Sequence, residues 1–472
     1  MKNKFFKALK TEVSDFFTTF ARGSWKTKLS YVIMGAGNLL NGQIARGLAF
    51  LAFEVLFFLY LFAGLGGSSG LYWISMLPSL GLEGPGEKYD PLFDQYVYKY
   101  GDNSFRILLY GILTIFLIIA FIFTWRLNIK QAAEVERLQR EGRKINKFKD
   151  DVKSLIDEGF YKTLLALPLT GIIVFMVLPL FFMILVAFTN YDGTHDGYVT
   201  NLFHWVGWRN FRAMFSFGGG SSSYGKIFLG ILGWTVIWAF FATFSNYFLG
   251  ILVAMMINKR SIKFKKLWRT IFVLTIAIPQ FISLLYVSKM FDKSGLINGF
   301  LLKMGWISQA YDFWGHPFSA RLLVILINIW IGIPYLMLIA TGILLNIPQD
   351  LYEAAKIDGA NPVQQFRHIT MPYMLFVTGP YLLTSFTGNM NNFNVIFLLS
   401  GGGPTNSAAS SAAGSVGYTD LLVTWLFKIT TGAESQYYMA SVIGIVIFIV
   451  VSIITLTVYN VLPSIKNEED MQ

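Results

Sequence analysis

Residues 353–360 read EAAKIDGA and are followed at 369–372 by ITMP, and this stretch decides how the chain is organised. It is a short charged segment between two of the most apolar parts of the sequence, roughly residues 321–345 and 373–399. Pro348 can open a helix here, and Gly359 permits the positive φ that lets the chain turn. On its own, the pattern fits an ordinary surface helix as well as a docking site for another protein.

The composition outside this stretch is that of a membrane protein. Of the 472 residues, 54% are hydrophobic and only 14% are charged, with a mean hydropathy of +0.53. Runs of about 20 apolar residues match the roughly 30 Å hydrocarbon core of a bilayer. We therefore predict an all-α polytopic membrane protein with about eight transmembrane helices, roughly 47–65, 105–126, 163–189, 227–257, 268–290, 321–345, 373–399 and 439–462.

The charges between these spans predict the orientation. Residues 126–162 and 258–269 are rich in lysine and arginine, whereas the loop after the first span carries mainly acidic residues. Because basic loops stay on the cytoplasmic side, both termini and the 353–360 stretch are expected there too. These basic loops account for the formal net charge of +11, so binding to nucleic acid is not needed to explain it. The absence of cysteine excludes disulfides and thiol catalysis.

Two polar stripes occur in the spans that flank the charged stretch. Each stripe has members at i, i+4 and i+7, which share one helix face: Asn328, Gly332 and Tyr335 in the first, Ser385, Asn389 and Asn392 in the second. Unpaired amides in hydrocarbon cost several kcal/mol, so these faces should look into the bundle or a wet cavity. Amides and hydroxyls beside aromatic rings suit a neutral, polyhydroxylated ligand. Hydrogen bonding between helices is the alternative explanation.

The spacing Glu-Ala-Ala, three residues, Gly, nine residues, Ile-x-x-Pro resembles the EAA loop of permease subunits of ATP-binding-cassette (ABC) importers. Three further stretches, 206–211, 254–279 and 392–404, resemble the sugar branch of that family. The resemblance covers roughly residues 163–462 and is greatest to the larger permease subunit of maltose/maltodextrin importers. The loop at about 190–226 departs from the enterobacterial form, because it is too short to hold a separate folded domain.

The resemblance implies a type I permease core of six helices at 163–462, preceded by two extra N-terminal helices within 47–162. Independently of the resemblance, apolar residues at helical spacing among lysines predict an amphipathic cytoplasmic segment at 1–46, and the loop charges predict a cytoplasmic tail at 463–472. Within the EAA loop (347–372), a coupling helix would contact a separate ATPase, and the corresponding residues are Glu353, Ala354, Ala355, Asp358 and Gly359. The two polar stripes correspond to positions that line the sugar site.

The function implied by the resemblance is import of a neutral oligosaccharide, most simply maltose or maltodextrin, across a bacterial plasma membrane by alternating access. The implied partners are a second permease subunit, two cytoplasmic ATPase subunits and an extracytoplasmic sugar-binding protein. The chain itself would be a non-catalytic subunit that binds no cofactor or metal, with ATP and Mg²⁺ held by the ATPase subunits. Consistent with this, the sequence lacks a complete phosphate-binding Gly-x-x-x-x-Gly-Lys-Ser/Thr run.

An ion-coupled secondary sugar carrier acting alone is the alternative function. That mechanism needs intramembrane acids or internal repeats, and the sequence offers Glu54 for the first and nothing obvious for the second. We interpret Glu54 as a packing residue, because it lies outside the expected transport core. Pro279-Gln280 breaks the fifth span and frees backbone groups, either as a hinge or as a packing kink.

Overall fold

The computed structural model describes residues 2–64, 68–82, 84, 86–90, 94–99, 101–198, 201–218, 223–259, 261–407, 409, 415–432 and 435–461. The predicted tail at 463–472 lies outside these residues. The chain divides into two units, an N-terminal unit of residues 1–206 and a C-terminal unit of residues 207–472.

The N-terminal unit consists of helices and one antiparallel hairpin. In chain order its described elements are α1 (Lys2–Arg22), α2 (Trp25–Leu29), α3 (Ala36–Leu40), α4 (Ile44–Phe58), α5 (Gly70–Met76), β1 (Gly86–Asp90), β2 (Gln95–Lys99), α6 (Ser104–Arg140), α7 (Phe148–Ile156), α8 (Phe160–Ile172) and α9 (Leu178–Val186). A π-helical turn at Leu59–Ala63 extends α4, and another at Ile173–Val177 joins α8 to α9. The hairpin pairs Gly86 with Lys99 and Asp90 with Gln95.

The described elements of the C-terminal unit are all helices. They are α10 (Arg209–Met214), α11 (Tyr224–Asn258), α12 (Lys265–Ala277), α13 (Gln280–Met290), α14 (Leu296–Lys303), α15 (Pro317–Leu344), α16 (Gln349–Ile357), α17 (Pro362–Gln365), α18 (Met371–Met390), α19 (Phe393–Ser400), α20 (Leu422–Thr431) and α21 (Tyr437–Val461). A π-helical turn at Phe366–Thr370 leads into α18.

The all-α polytopic architecture is confirmed, with a difference in the spans. Six described helices are long and apolar enough to cross a membrane, and α12 with α13 makes a seventh if that bent pair counts as one span. The predicted span at 373–399 is instead divided into α18 and α19. The division has a local cause, because the Asn392 side chain accepts a hydrogen bond from Val395 N (3.2 Å) and so caps α19 at its start.

Polar side chains of α4 and α6 fix the loop between α2 and α3. Glu54 Oε2 accepts a hydrogen bond from Met34 N (2.8 Å). Asn128 accepts from Gly35 N (2.8 Å) and donates to Ser30 O (2.8 Å). Both side chains are buried, and backbone groups in such a place require partners. Glu54 therefore has a structural role in this unit.

Helix α1 is attached to α6 where the apolar part of α6 ends. The Glu12 carboxylate pairs with Lys130 (2.5 Å) and Arg126 (3.3 Å), and these cations hold the pKa of Glu12 below its ordinary value. One residue earlier on α6, Trp125 Nε1 donates to Tyr31 O (3.0 Å). The side of α1 that faces α6 thus carries Glu12 and also Phe16, whose ring centroid lies 5.5 Å from that of Trp125, while Phe17 stays 64% exposed.

The core of the C-terminal unit is built around α11. In the most apolar 18-residue window of α11, 50% of the residues are buried. In the corresponding window of Phe160–Val186, 6% of the residues are buried. Trp238 packs in a buried cluster with side chains of α13, α15 and α19, and Tyr247 packs in a second cluster with α15 and α18. This packing gives α11 a fixed surface against which the neighbouring helices are positioned.

A buried ion pair stabilises the start of α20. Asp420 Oδ2 accepts from Lys428 Nζ (2.7 Å) and Gly417 N (2.7 Å), and Oδ1 accepts from Thr424 Oγ1 (2.9 Å). The Asp420 side chain is fully buried. Burial raises the pKa of the Asp420 carboxyl, and the Lys428 ammonium acts against that rise.

We expect Lys428→Met to destabilise the protein by roughly 3–5 kcal/mol, because it leaves a buried carboxylate without its cation. The double variant Lys428→Met/Asp420→Asn should recover most of this loss, since the amide carries no charge. Thermal unfolding of the detergent-solubilised protein measures both effects. Equal destabilisation in the single and double variants would contradict the electrostatic explanation.

Candidate polar cavity and coupling segment

A cavity of about 520 Å³ lies in the C-terminal unit where α12 and α13 meet the middle of α15. The two short helices are bent by 89° at Ile278-Pro279. The described residues that line the cavity carry no charge; they are Phe272, Thr275, Ile276, Ala277, Ile278, Pro279, Gln280, Ser283, Trp330, Ile331, Gly332, Ile333, Pro334 and Tyr335.

Proline explains the bend. Pro279 has no N–H to continue the hydrogen-bond ladder of α12, and Ile278 before it is in an extended conformation (φ −79°, ψ 124°), as residues that precede proline usually are. Non-helical backbone at membrane depth is tolerated where it lines a cavity. The predicted break is therefore present, and it forms one wall of the cavity.

The members of the first predicted stripe on α15 differ in burial. Gly332 and Tyr335 line the cavity, and the Tyr335 side chain is 52% exposed. Asn328 lies one turn earlier and is buried, and its Nδ2 has no hydrogen-bond partner in the part of the chain that the structure describes. A buried unpaired amide donor is costly, so Asn328 marks a place where the packing is incomplete for this conformation.

The second predicted stripe makes contacts of its own. Asn392 Nδ2 donates to Asn389 Oδ1 (3.3 Å), and Asn389 Nδ2 donates to Thr243 Oγ1 on α11 (3.0 Å). Ser385 is half-buried one turn after Tyr381, whose ring centroid lies 6.5 Å from that of Tyr335. Aromatic rings therefore bring α18 close to α15, and Asn389 is tied to the central helix α11.

Asn246 on α11 is a buried polar residue that the sequence patterns did not predict as part of the site. Its Nδ2 donates to Ala242 O (2.8 Å), while its Oδ1 lacks a partner among the described residues. The Asn246 amide lies against the Cα of Gly332, where a Cβ would meet Nδ2 at 2.2 Å. A lone asparagine in a long apolar helix is a usable sequence signal, but its neighbour could be identified only from the fold.

The coupling segment, residues 349–370, turns back sharply after α16. Gly359 has φ +78°, Ala360 N donates to Ala355 O (2.8 Å), and Gly359 N donates to Lys356 O (3.1 Å). These two bonds form the Schellman motif that terminates many helices and that favours glycine at the left-handed position. No atom of the described chain lies within 4 Å of a Cβ built at Gly359.

The surface of the coupling segment is apolar and exposed at its tip. Ile357 is 87% exposed and Val363 is 73% exposed. Its base is fixed, because the Tyr352 and Thr370 hydroxyls lie 2.9 Å apart and Thr370 is buried at the start of α18. The predicted residues Glu353, Ala354, Asp358 and Gly359 are exposed and Ala355 is half-buried, so most of this stretch is accessible.

Comparison with known proteins identifies the family. The family model for the inner membrane component of binding-protein-dependent transport systems matches residues 246–464. The maltodextrin transport system permease protein MdxF of Bacillus subtilis (strain 168) is 35% identical over 461 residues, which cover 96% of this chain and 99% of MdxF. The chain belongs to this family of binding-protein-dependent permeases. It is therefore a multi-pass membrane protein and the permease subunit of an ABC importer.

Two other curated relatives show how far the similarity extends. The galactooligosaccharides transport system permease protein GanP of the same Bacillus subtilis strain is 32% identical over 445 residues, covering 93% of this permease and 97% of GanP. The maltose/maltodextrin transport system permease protein MalF of Escherichia coli (strain K12) is 35% identical over 249 residues, covering 52% of this permease and 47% of MalF.

Solved structures support the fold. The permease aligns with a chain of a bacterial ABC transporter involved in the import of the acidic polysaccharide alginate, with a TM-score of 0.51 and 19% identity, over 66% of this permease and 96% of that chain. The prediction of a non-catalytic permease subunit is confirmed by the family. Among the described residues, no group of three or more histidine and carboxylate side chains is arranged to hold a metal ion.

We expect Gly332→Ala to destabilise the permease by about 1–2 kcal/mol, because the new methyl must push the Asn246 amide off Ala242 O. Adding Asn246→Ala should restore most of the stability. Gly342→Ala on the same helix is the matched control, since no atom of the described chain lies within 4 Å of a Cβ placed at Gly342. Thermal unfolding in detergent measures all three, and equal losses for Gly332→Ala and Gly342→Ala would refute the contact argument.

Proposed function

We propose that this permease moves a neutral oligosaccharide, maltodextrin first among the candidates, inward across the bacterial plasma membrane by alternating access. The named relatives MdxF and GanP transport maltodextrin and galactooligosaccharides, both built from sugars. The observation that carries the proposal is the uncharged lining of the cavity at the α12–α13 bend, together with the amide and hydroxyl stripes beside it. An acidic polysaccharide would favour basic groups at such a place.

The chemistry of the site follows from its side chains. Amides both donate and accept hydrogen bonds, as sugar hydroxyls do. Asn389 and Asn392 can therefore exchange their present contacts for bonds to substrate, and Asn328 can offer its unpaired Nδ2. Aromatic rings such as Tyr335 supply flat apolar surface that suits the C–H faces of a sugar ring. Gly332 presents bare backbone to the cavity beside the Asn246 amide, and Ser385 supplies a further hydroxyl. Each of these residues is assigned to transient binding of the sugar.

Force would reach this site through the coupling segment. A cytoplasmic ATPase would take the exposed tip around Ile357 into a cleft, with Glu353 and Asp358 pairing with its basic residues. Closure of the ATPase dimer on ATP and Mg²⁺ would then move α16. The contact between Tyr352 and Thr370 transmits that movement to α18, which carries Ser385 and Asn389.

The remaining partners follow from the class of importer. A binding protein outside the cytoplasm would deliver the sugar, and a second permease subunit would complete the pathway. The basic loops predict that both termini are cytoplasmic. The alternative, an ion-coupled carrier acting alone, is not favoured, because the chain belongs to a family of binding-protein-dependent permeases and Glu54 serves a structural role.

We expect Asn389→Leu to abolish uptake of labelled maltodextrin by the reconstituted importer while assembly with the other subunits is retained. The leucine would leave the Thr243 hydroxyl and the Asn392 amide without a partner, at about 1–3 kcal/mol, and would remove a bond to the sugar. Uptake into proteoliposomes measures transport, and co-purification measures assembly.

The matched control is Thr243→Val, which removes the same interhelical bond but leaves the amide. If that bond alone matters, the two variants will lose uptake equally, and the proposed role of Asn389 in sugar binding fails. Unlabelled galactooligosaccharide should compete less well than maltodextrin. Stronger competition by the former would reassign the sugar while leaving the class of transporter unchanged.

We expect Gly359→Ala to reduce sugar-stimulated ATP hydrolysis several-fold, because an alanine in the left-handed conformation costs roughly 1–2 kcal/mol and would reshape the turn. Gly359→Asn should retain most of the stimulation, since asparagine tolerates this conformation and no neighbouring atom obstructs its side chain in this chain. ATPase assays on the assembled importer measure the sugar-stimulated hydrolysis of both variants. If Gly359→Asn loses the stimulation as fully as Gly359→Ala does, position 359 requires a small side chain and the backbone-geometry argument is wrong.

A further inference from the structure

Helix α7, residues Phe148–Ile156, has an apolar face that nothing in the described chain covers. Phe148 is 62% exposed, Val152 38%, Leu155 46% and Ile156 70%. Their spacing of i, i+4, i+7 and i+8 puts all four on one side of the helix. A contiguous exposed face of this kind marks a surface that binds a membrane or another molecule.

The structure fixes α7 at the ends of two membrane helices. Asp151 pairs with Arg46 (2.6 Å) in the first turn of α4, the start of the first span. At its other end, Leu155 O accepts a hydrogen bond from Thr163 Oγ1 (2.9 Å) at the start of α8. Since α4 and α8 both begin spans here, α7 is held at the level where the chain enters the bilayer.

Two lysines border the apolar face. Lys149 and Lys153 are one helical turn apart and are exposed, and neither forms an ion pair within the described residues. With Phe148, Val152, Ile156 and Asp157 they line an open groove of about 580 Å³. The two acidic residues within α7 are paired, Asp150 with Lys144 (3.0 Å) and Asp151 with Arg46, and Asp157 lies at the end of the groove.

We propose that α7 is an interfacial helix that binds anionic phospholipids of the inner leaflet. Phe148, Val152 and Ile156 enter the boundary between headgroups and acyl chains, and the two lysines pair with headgroup phosphates. A large apolar face edged by lysines is the usual form of helices that lie in the membrane surface. The bilayer is the favoured occupant because the contacts to α4 and α8 hold α7 at the membrane boundary.

The absence of cysteine from the chain allows a direct test. A single Val152→Cys variant is labelled with an environment-sensitive fluorophore, and Ser154→Cys on the opposite side of α7 is the matched control. Both are assembled with cysteine-free partner subunits in nanodiscs that contain phosphatidylglycerol. We expect nitroxide-labelled lipid to quench the probe at 152 strongly and the probe at 154 weakly. Aqueous iodide should quench the probe at 152 only weakly.

Two outcomes would overturn the proposal. Iodide quenching at 152 as strong as in a water-exposed peptide would mean that the apolar face remains in water. Protection of the probe at 152 from both quenchers would mean that another subunit covers α7. Comparison of the two positions separates both results from a general loss of folding, because the probe at 154 reports on the same helix.

The lysines are tested through the choice of lipid. Quenching at 152 by nitroxide-labelled phosphatidylglycerol is compared with quenching by labelled phosphatidylcholine. In Lys149→Gln/Lys153→Gln the preference for the anionic lipid should fall by up to about 30-fold. This value is expected because each lysine near the membrane surface contributes about 1 kcal/mol. Lys144→Gln, which removes a lysine already paired with Asp150, should change it little. An unchanged preference in the double variant would refute the role of the lysines.

Discussion

In the hydrocarbon of a bilayer every backbone N–H and C=O needs a hydrogen-bond partner, and that requirement governs where this chain is regular and where it is not. The 35 residues of α11 form one uninterrupted helix. The breaks occur beside it, at Pro279 between α12 and α13 and at Asn391-Asn392 between α18 and α19. Both sets of broken helices pack with α11 and α15, and the break at Pro279 lines the polar cavity.

The same arrangement connects the coupling segment with the helices that carry the polar stripes. The coupling segment follows α15 and leads directly into α18, the two helices that carry the polar stripes. Its base is bonded to α18 through Tyr352 and Thr370, and its tip presents Ile357 to other molecules. Asn389 lies farther along α18 and is bonded to α11. In the proposed mechanism, α18 is the element through which movement of the tip would reach the polar stripes.

Much of this fold could be predicted from the sequence, because long apolar runs are a local signal. The expected span at 227–257 is α11, three residues longer at the start, and the expected break at Pro279 is present. Pairings between distant residues were not predictable. The contact of Asn246 with Gly332 depends on how α11 and α15 pack. The cap that Asn392 forms on α19 depends on its side-chain rotamer. The roles of the stripe residues in binding sugar remain predictions.

The bend at Pro279 has a consequence for how specificity can be studied. A broken helix leaves carbonyl groups at the end of α12 and N–H groups at the start of α13 without their usual helical partners. These groups adjoin the cavity and belong to the main chain. Replacing side chains one at a time cannot remove them, so a mutational scan of this wall would underestimate its contribution to recognition. Amide-to-ester substitution, or moving the proline by one position, would be needed to reveal it.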